Sequence, residues 1–233
     1  MYQLSILIPC FNEVSTIEKS IKQVIKLKKF KKEVIIIDNG STDGSQKIIQ
    51  KYNNLANCKI ILRNKNKGYG ATVKEAFKVS KGKYIYIHFS DCEYDIKTVN
   101  KMYNLAEKKK LDVVFGSRLK NFSLSKKLFL LKTKPSYLGT YIITNLYNLL
   151  YNTNFTDVIG SKFYRTNSVK NIKINSNHFR FDFKLKSRII KNQFKIEEVF
   201  TKYKPRNDSS KKNVKFYHIF PAIYEILLNK FYD

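Results

Sequence analysis

Three short polar segments hold the side chains of this sequence best suited to a charged ligand. Pro9-Cys10-Phe11-Asn12-Glu13 and Asp38-Asn39-Gly40-Ser41-Thr42-Asp43-Gly44-Ser45 each follow a continuous apolar run. Phe89-Ser90-Asp91-Cys92-Glu93-Tyr94-Asp95 gathers three carboxylates within five residues. Carboxylates offer the hard oxygen donors that Mg2+ and Mn2+ take. Asp38, directly after four apolar residues, would accept a hydrogen bond from a base N–H or a ribose hydroxyl. The plainer reading is a turn, which Ser41, Thr42 and Asp43 equally supply. A fourth segment, Asn66-Lys67-Gly68-Tyr69-Gly70-Ala71, opens a helical pattern. Its glycines allow close backbone approach, and a helix start favours an anion. As a dinucleotide fingerprint it fails, because Val73 stands where the third glycine belongs. Small, polar and acidic loops suit a nucleotide better than an apolar ligand.

The elements that position these loops follow from hydropathy. Apolar runs at 5–8, 34–37, 60–62, 84–87 and 113–115 read as buried strands of the parallel type. Helical patterns fill 13–27, 44–52, 70–80 and 96–109, with Ser15 or Thr16 and Glu18 placed as a capping box for the first. This alternation predicts an α/β chain, a mostly parallel central sheet with helices on both faces. In such sheets ligands bind outside the carboxyl ends of the strands, where these loops fall. After residue 118 the pattern becomes a loop (120–135), a helix (137–151), a strand (161–165), a helix (180–192) and a strand (196–203). No Pro/Gly-rich linker interrupts it. Residues 1–233 therefore read as one domain, with a ligand-binding half over 1–118 and a second half over 119–233 that ends in an amphipathic helix.

The chain carries 45 Lys+Arg against 18 Asp+Glu, a net charge of +27, spread over both halves. Such excess suggests anionic partners. Lys, Asn, Ile and Tyr are all abundant, a bias that A/T-rich coding also produces. A nucleic-acid partner is not expected, since no RNA-binding signature is present and the aromatic residues do not cluster with the basic ones. Three separated cysteines without a CxxC pair fit reduced thiols. Neither a signal peptide nor a transmembrane run is read, so the expected location is cytoplasmic, peripheral on the inner face of the membrane. Two amphipathic stretches, 137–151 and 216–231, read first as core-facing helices and otherwise as membrane-surface helices.

The motifs also carry a resemblance. Ile8-Pro9-Cys10-Phe11-Asn12-Glu13, the 38–45 segment, Asn66-x-Gly68-x-Gly70-Ala71, the 89–95 segment, Gly116-Ser117-Arg118, Thr156-Asp157 with Lys162-Phe163-Tyr164-Arg165, and Phe179-Arg180-Phe181-Asp182-Phe183-Lys184 resemble, in order, the signatures of glycosyltransferase family 2. Tyr203-x-Pro205-Arg206, then Ser209-Ser210-Lys211-Lys212, is similar to the end of the polyprenyl-phosphate sugar transferases in that family. Four positions depart from the pattern. Asn39 replaces the second Asp of an Asp-Asp pair, Phe89 the first Asp of Asp-x-Asp, Lys184 a Glu, and Ser210 a Gly.

The resemblance implies a GT-A-like nucleotide-binding sandwich, a nucleotide-diphosphate-sugar donor and inversion at the anomeric carbon. It implies donor binding by Pro9, Phe11, Asn12, Glu13, Asp38, Asn39, Asn66, Gly68, Ser90 and Asp91. Mg2+ or Mn2+ would be held by Asp91, with Glu93 as the second member of an Asp-x-Glu pair. Asp182 is the candidate general base and otherwise caps its helix; Asp95 reads as a cap. Arg118, Asp157, Arg206, Lys211 and Lys212 would meet acceptor or phosphate, and Asp157 also metal or sugar, although Arg118 also suits an ion pair and the basic segment a solvated loop. The catalytic candidates are Asp91, Asp182 and Arg206. The expected reaction moves a hexose to polyprenyl phosphate or a related membrane-linked acceptor. The alternatives are transfer to a glycan hydroxyl and a non-catalytic sugar-nucleotide binder. A lipid phosphate is already anionic and needs no base, whereas a hydroxyl does.

Overall fold

The computed structural model describes residues 1–178, 180–205 and 219–232. Seven strands, β1 (Tyr2–Cys10), β2 (Lys32–Asp38), β3 (Cys58–Leu62), β4 (Gly82–Ile87), β5 (Val113–Ser117), β6 (Ser161–Arg165) and β7 (Ile196–Phe200), form one sheet in the order β3-β2-β1-β4-β6-β5-β7. The pairs β1/β2, β1/β4, β2/β3 and β5/β7 are parallel. β6 runs antiparallel to both β4 and β5. The carboxyl ends of β1, β2, β4 and β5 therefore share one edge, and β6 begins there, with Lys162 opposite Ile87 and Phe115.

The helices are α1 (Ile17–Lys26), α2 (Ser45–Gln50), α3 (Tyr69–Val79), α4 (Thr98–Lys109), α5 (Leu124–Thr133), α6 (Pro135–Tyr151), α7 (Thr166–Lys170), α8 (Phe181–Lys191) and α9 (Ile219–Phe231). Period-two alternation sends the apolar strand residues to both faces. Leu4, Ile6, Ile8 and Ile36 meet α1 and α4 on one side, through Ile21, Val24, Val99 and Met102. Leu7, Ile35 and Ile37 meet α3 and α8 on the other, through Val73, Phe77, Phe181 and Leu185. Each fully buried aliphatic side chain contributes about 1.5–3 kcal/mol. The expected mostly parallel sheet with helices on both faces is thus present.

A third cluster lies away from the sheet. Ile143, Tyr147 and Tyr151 of α6 pack on Ile219, Ala222 and Ile226 of α9. One face of each amphipathic stretch is core-facing, as read first. Other expectations need correction. The supposed loop at 120–135 contains α5, whose start is capped by the Ser123 hydroxyl accepting from the Lys126 N–H at 3.4 Å. The last strand stops at Phe200 rather than 203. The short α7 has no hydropathy period long enough to read. The capping box does not form. The Thr16 hydroxyl donates to the Glu13 carboxylate at 3.1 Å and makes no side-chain bond to its own helix.

Candidate active site

The first two loops are stitched to each other by side chains that close on backbone. Asn12, held at φ +53°, donates its N–H to the Ser41 hydroxyl at 2.8 Å and accepts from the Thr42 N–H at 2.8 Å. The Glu13 N–H donates to the Ser45 hydroxyl at 2.9 Å, and the Val14 N–H to the Asp43 carboxylate at 2.9 Å. Pro9 ends the apolar part of β1 opposite Ile37, and Phe11 stands at the surface beyond it. Pro9, Phe11, Asn12 and Glu13 thus lie together at the carboxyl edge of the sheet.

Asp38 is fully buried, and its carboxylate accepts from the Gly40 N–H (3.0 Å), the Ser41 N–H (2.9 Å), the Ser41 hydroxyl (2.5 Å) and the Gln46 amide (2.7 Å). This corrects the ligand-facing expectation. The carboxylate turns into its own loop and satisfies donors that would otherwise be buried unpaired. Gly40 completes the turn at φ +81°, where a Cβ would sit 2.5 Å from the Lys65 carbonyl carbon.

Asn39 joins the second loop to the third. Its amide nitrogen donates to the Asn66 side chain at 2.7 Å, and its oxygen accepts from Arg63 (2.8 Å) and the Lys67 N–H (3.1 Å). An amide supplies donor and acceptor together, which a carboxylate cannot. Arg63, absent from the sequence-based candidates, is the hub of this junction. It also donates to the Thr72 hydroxyl at 3.1 Å and is paired with the Glu75 carboxylate. The available signal was its place directly after the third strand. Gly68 serves a different approach from the expected one. A Cβ there would lie 2.0 Å from the Asn177 carbonyl oxygen, which also accepts from the Ala71 N–H at 3.3 Å. The first turn of α3 is therefore met by protein backbone at that position.

In the 89–95 loop Ser90 is buried, and Asp91 accepts from the Glu93 N–H at 3.0 Å across Cys92, which is held at φ +58°. The Tyr203 hydroxyl donates to the Glu93 carboxylate at 2.9 Å. Asp95 accepts from the Lys97 N–H at 2.9 Å in the turn before α4, whose N-cap position is Lys97 and which has no side-chain cap, so the expected cap is not formed. Among the described residues, no group of three His, Cys, Asp or Glu side chains converges on a metal position. The donor chemistry nonetheless fits a cation shared with a diphosphate, because Mg2+ needs only one or two carboxylates when phosphate oxygens and water complete its shell. Asp91 is the residue that fits this role. Glu93, two residues on, accepts from Tyr203 through one carboxylate oxygen.

Beside this loop lies a charged cluster that the motifs did not reveal as one unit. Lys162 is buried, with its ammonium 2.6 Å from an Asp182 carboxylate oxygen and 4.9 Å from the Phe89 ring centroid. Lys186 is 1% exposed and its ammonium finds no hydrogen-bond partner among the described residues. Burial pushes Lys186 down to about 8, against the attraction of Asp182. For Asp182, burial acts to raise the carboxyl, but Lys162 and Lys186 outweigh it and hold the group below its ordinary value. A general base works best near the operating pH. Asp182 is therefore held in an ion pair, which makes it a weaker base than a free aspartate. Phe89, in place of an acid, faces Lys162 through its ring, a cation–π contact.

Arg118 and Asp157 form a second buried charged unit. The guanidinium donates to both carboxylate oxygens at 2.6 and 3.0 Å, and the Arg118 N–H adds a third bond at 3.0 Å. Thr140 accepts from the same guanidinium at 3.0 Å, and the Tyr203 ring lies 5.2 Å from it. Burial would raise the Asp157 carboxyl, yet Arg118 holds it below its ordinary value. Glu198 backs the unit, accepting from the Asp157 and Thr156 N–H groups. This corrects the reading of Arg118 and Asp157 as phosphate, metal or sugar contacts, since each has the other as its partner. Arg206, Lys211 and Lys212 lie outside the described residues.

With this geometry in view, comparison with known proteins places the chain in a family. Residues 5–224 match Glycosyl transferase family 2, and the protein belongs to that family. Among curated relatives, the cholesterol galactosyltransferase of Borreliella burgdorferi is 31% identical over 113 residues, 48% of this chain and 32% of that protein. The dolichyl-phosphate beta-glucosyltransferase of Dictyostelium discoideum is 30% identical, covering 49% of this chain and 39% of that protein. The dodecaprenyl-phosphate galacturonate synthase of Rhizobium johnstonii is 26% identical, covering 77% and 52%. The chain spans less than two thirds of the length of these relatives. Among solved structures, glucosyl-3-phosphoglycerate synthase from Mycobacterium tuberculosis, in complex with Mn2+, UDP and phosphoglyceric acid, superposes with a TM-score of 0.64 at 14% identity, over 98% of this chain and 77% of that one. S. aureus TarS in complex with UDP-GlcNAc gives 0.62 at 18% identity, over 99% and 68%. The fold is GT-A-like.

Proposed function

We propose that this protein is an inverting glycosyltransferase that moves a hexose from a nucleotide-diphosphate sugar to polyprenyl phosphate or a related membrane-linked acceptor. The observation that carries the reading is the convergence of the 9–13, 38–45, 63–68 and 89–95 loops on one sheet edge in a chain of this family. Two relatives are named for dolichyl and dodecaprenyl phosphate, which favours the phosphate acceptor. In this reading the interlocked loops around Asn12, Asn39 and Asn66 seat the nucleoside, and Asp38 keeps them in shape. Asp91 would hold Mg2+ or Mn2+, which when bound neutralises charge on the departing diphosphate.

The reaction forms a bond from an acceptor oxygen to the anomeric carbon and breaks the bond from that carbon to the diphosphate oxygen. The electron pair leaves with the nucleoside diphosphate. A lipid phosphate is ionised near neutral pH, its second pKa being about 6. It needs no proton removed by Asp182, whose lysine partners make it a weak base. Lys184 in place of a Glu agrees with this. Arg206, Lys211 and Lys212 are the proposed cations for acceptor or leaving phosphates.

The test is product formation from labelled UDP- and GDP-hexoses with polyprenyl phosphate, set against a sugar-alcohol or glycan acceptor. Transfer to the phosphate alone is expected. Transfer only to a hydroxyl acceptor would assign the glycan alternative, and nucleotide binding without any transfer would mark a non-catalytic binder.

A further inference from the structure

Helix α5 is unusual in having no buried residue along its length. Leu124, Leu128 and Phe129 are 73%, 49% and 63% exposed. Leu124 and Leu128 stand four residues apart and so share one line of the helix, while Phe129 projects about 100° further round, with Lys132 between them. Leu138 and Tyr141 of α6, against which α5 packs, are also exposed. A helix on the surface of a soluble domain ordinarily turns polar residues outward. A cluster of exposed large apolar side chains marks an interaction surface.

The charge around this cluster has one sign. Between Asp112 and Asp157 the sequence contains no acidic residue, while Lys120, Lys126, Lys127, Lys132 and Lys134 fall in that interval. Lys126, Lys132 and Lys134 are exposed. Lys126 and Lys132 stand three residues before and after Phe129, so they flank its side chain on the helix surface. Between α5 and α6 runs a groove of about 140 Å³, lined by Lys127, Leu130 and Leu131 on one side and by Tyr141 and Thr156 on the other.

We propose that α5 is the surface by which this protein lies on a bilayer carrying anionic lipid. Leu124, Leu128 and Phe129 enter the boundary between headgroups and acyl chains, and Lys126, Lys132 and Lys134 meet the lipid phosphates. Apolar side chains bordered by lysines are the chemistry that binds a helix in the plane of such a surface. A nucleic acid would pair with the lysines but leave the leucines in water. The inference rests on the membrane-linked acceptor for its purpose, since docking by α5 brings the groove and the neighbouring site to the lipid.

The experiment is flotation of the full chain with vesicles of phosphatidylcholine alone and of phosphatidylcholine with phosphatidylglycerol, without donor or acceptor. The parent protein floats with the anionic vesicles and releases as salt rises. The Leu124→Ser/Leu128→Ser/Phe129→Ser variant loses roughly tenfold or more of that binding, because buried apolar area anchors an interfacial helix. The Lys126→Gln/Lys132→Gln variant binds more weakly and responds less to salt. Unchanged thermal unfolding shows that the variants fold, as expected where no buried side chain is altered. Flotation of the triple variant equal to the parent overturns the proposal, as does indifference to phosphatidylglycerol. A parent that does not float but forms dimers, lost in the triple variant, also overturns it and makes α5 an interface between copies. Nucleotide binding, followed on the same proteins without lipid, separates the two readings. If it is absent while flotation persists, the transferase reading fails and the docking surface stands.

Discussion

The ligand-facing edge is built on two chemistries, one on each side of β4. On the β3-β2-β1 side the loops are closed by amides, hydroxyls and the Asp38 carboxylate, which bond to backbone N–H groups and to each other. On the β6-β5-β7 side the corresponding positions hold ion pairs, the half-buried Asp182 with buried Lys162 and the buried pair of Arg118 with Asp157. The first arrangement leaves a hydrogen-bonded, weakly charged rim, where the proposed function seats the nucleoside. The second sets strong charges below the surface, where they fix the floor of the site. Buried on this side too is Lys186, whose ammonium has no hydrogen-bond partner among the described residues.

Breaking the ionic side should cost most. Asp157→Ala leaves the Arg118 guanidinium buried without its partner, and removing one member of a buried pair costs about 3–5 kcal/mol. Urea denaturation should show a loss of that size; a loss below about 1 kcal/mol would mean that the pair is solvent-screened like a surface bridge. Asp38→Ala tests the other side. It strips the acceptor from the Gly40 and Ser41 N–H groups and the Gln46 amide, with an expected loss of about 1–3 kcal/mol. Because the loop is then free to open, nucleotide affinity should fall with it. Asn39→Asp sharpens the contrast, since it removes the Asn39 amide donor to Asn66 while keeping size. The expected loss is smaller, about 1 kcal/mol, read from the same denaturation curves.

The pH response distinguishes the halves further. His88, buried at the end of β4 with both ring nitrogens unpartnered among the described residues, is pushed down by burial to about 4. The unfolded chain therefore binds this proton more readily, and stability drops as pH falls from about 6.5 towards 4. His88→Phe should flatten that limb of the stability profile, and an unchanged limb would show that His88 is not its source. Lys186 acts in the opposite range. Its folded value of about 8 lies below the ordinary 10.5, so stability rises as pH increases between the two. Lys186→Met should remove this rise and leave stability at pH 7 equal or slightly higher, the smallest effect of the set.

This contrast also explains what was legible in the sequence. The strands and the loops between them were readable because continuous apolar runs and turn residues act locally. The interlock of Asn12 with Ser41 and Thr42 lies within 30 residues and inside recognisable motifs. The ionic side joins residues of separate elements, Lys162 of β6 with Asp182 of α8 and Arg118 after β5 with Asp157 before β6. Arg118 finds Asp157 39 positions on, and no local pattern announces that pairing. Asp182 stood in a motif, but the effect of Lys162 on it depends on β6 entering the sheet backwards. α5 escaped notice for another reason. Its apolar residues follow no core-facing period, because it packs against little.

The central claim is that the stitched loops on the β3-β2-β1 side form a nucleotide-sugar site with Asp91 at its metal end. The most direct test is thermal shift of the full chain against UDP, GDP, CDP and dTDP, each with and without Mn2+, repeated on Asp91→Ala. A ligand that binds only the folded state raises the melting temperature by mass action. The account predicts a rise with one nucleotide, larger with Mn2+, and loss of the Mn2+ increment in Asp91→Ala. No shift with any nucleotide, or an increment that survives the substitution, would contradict it.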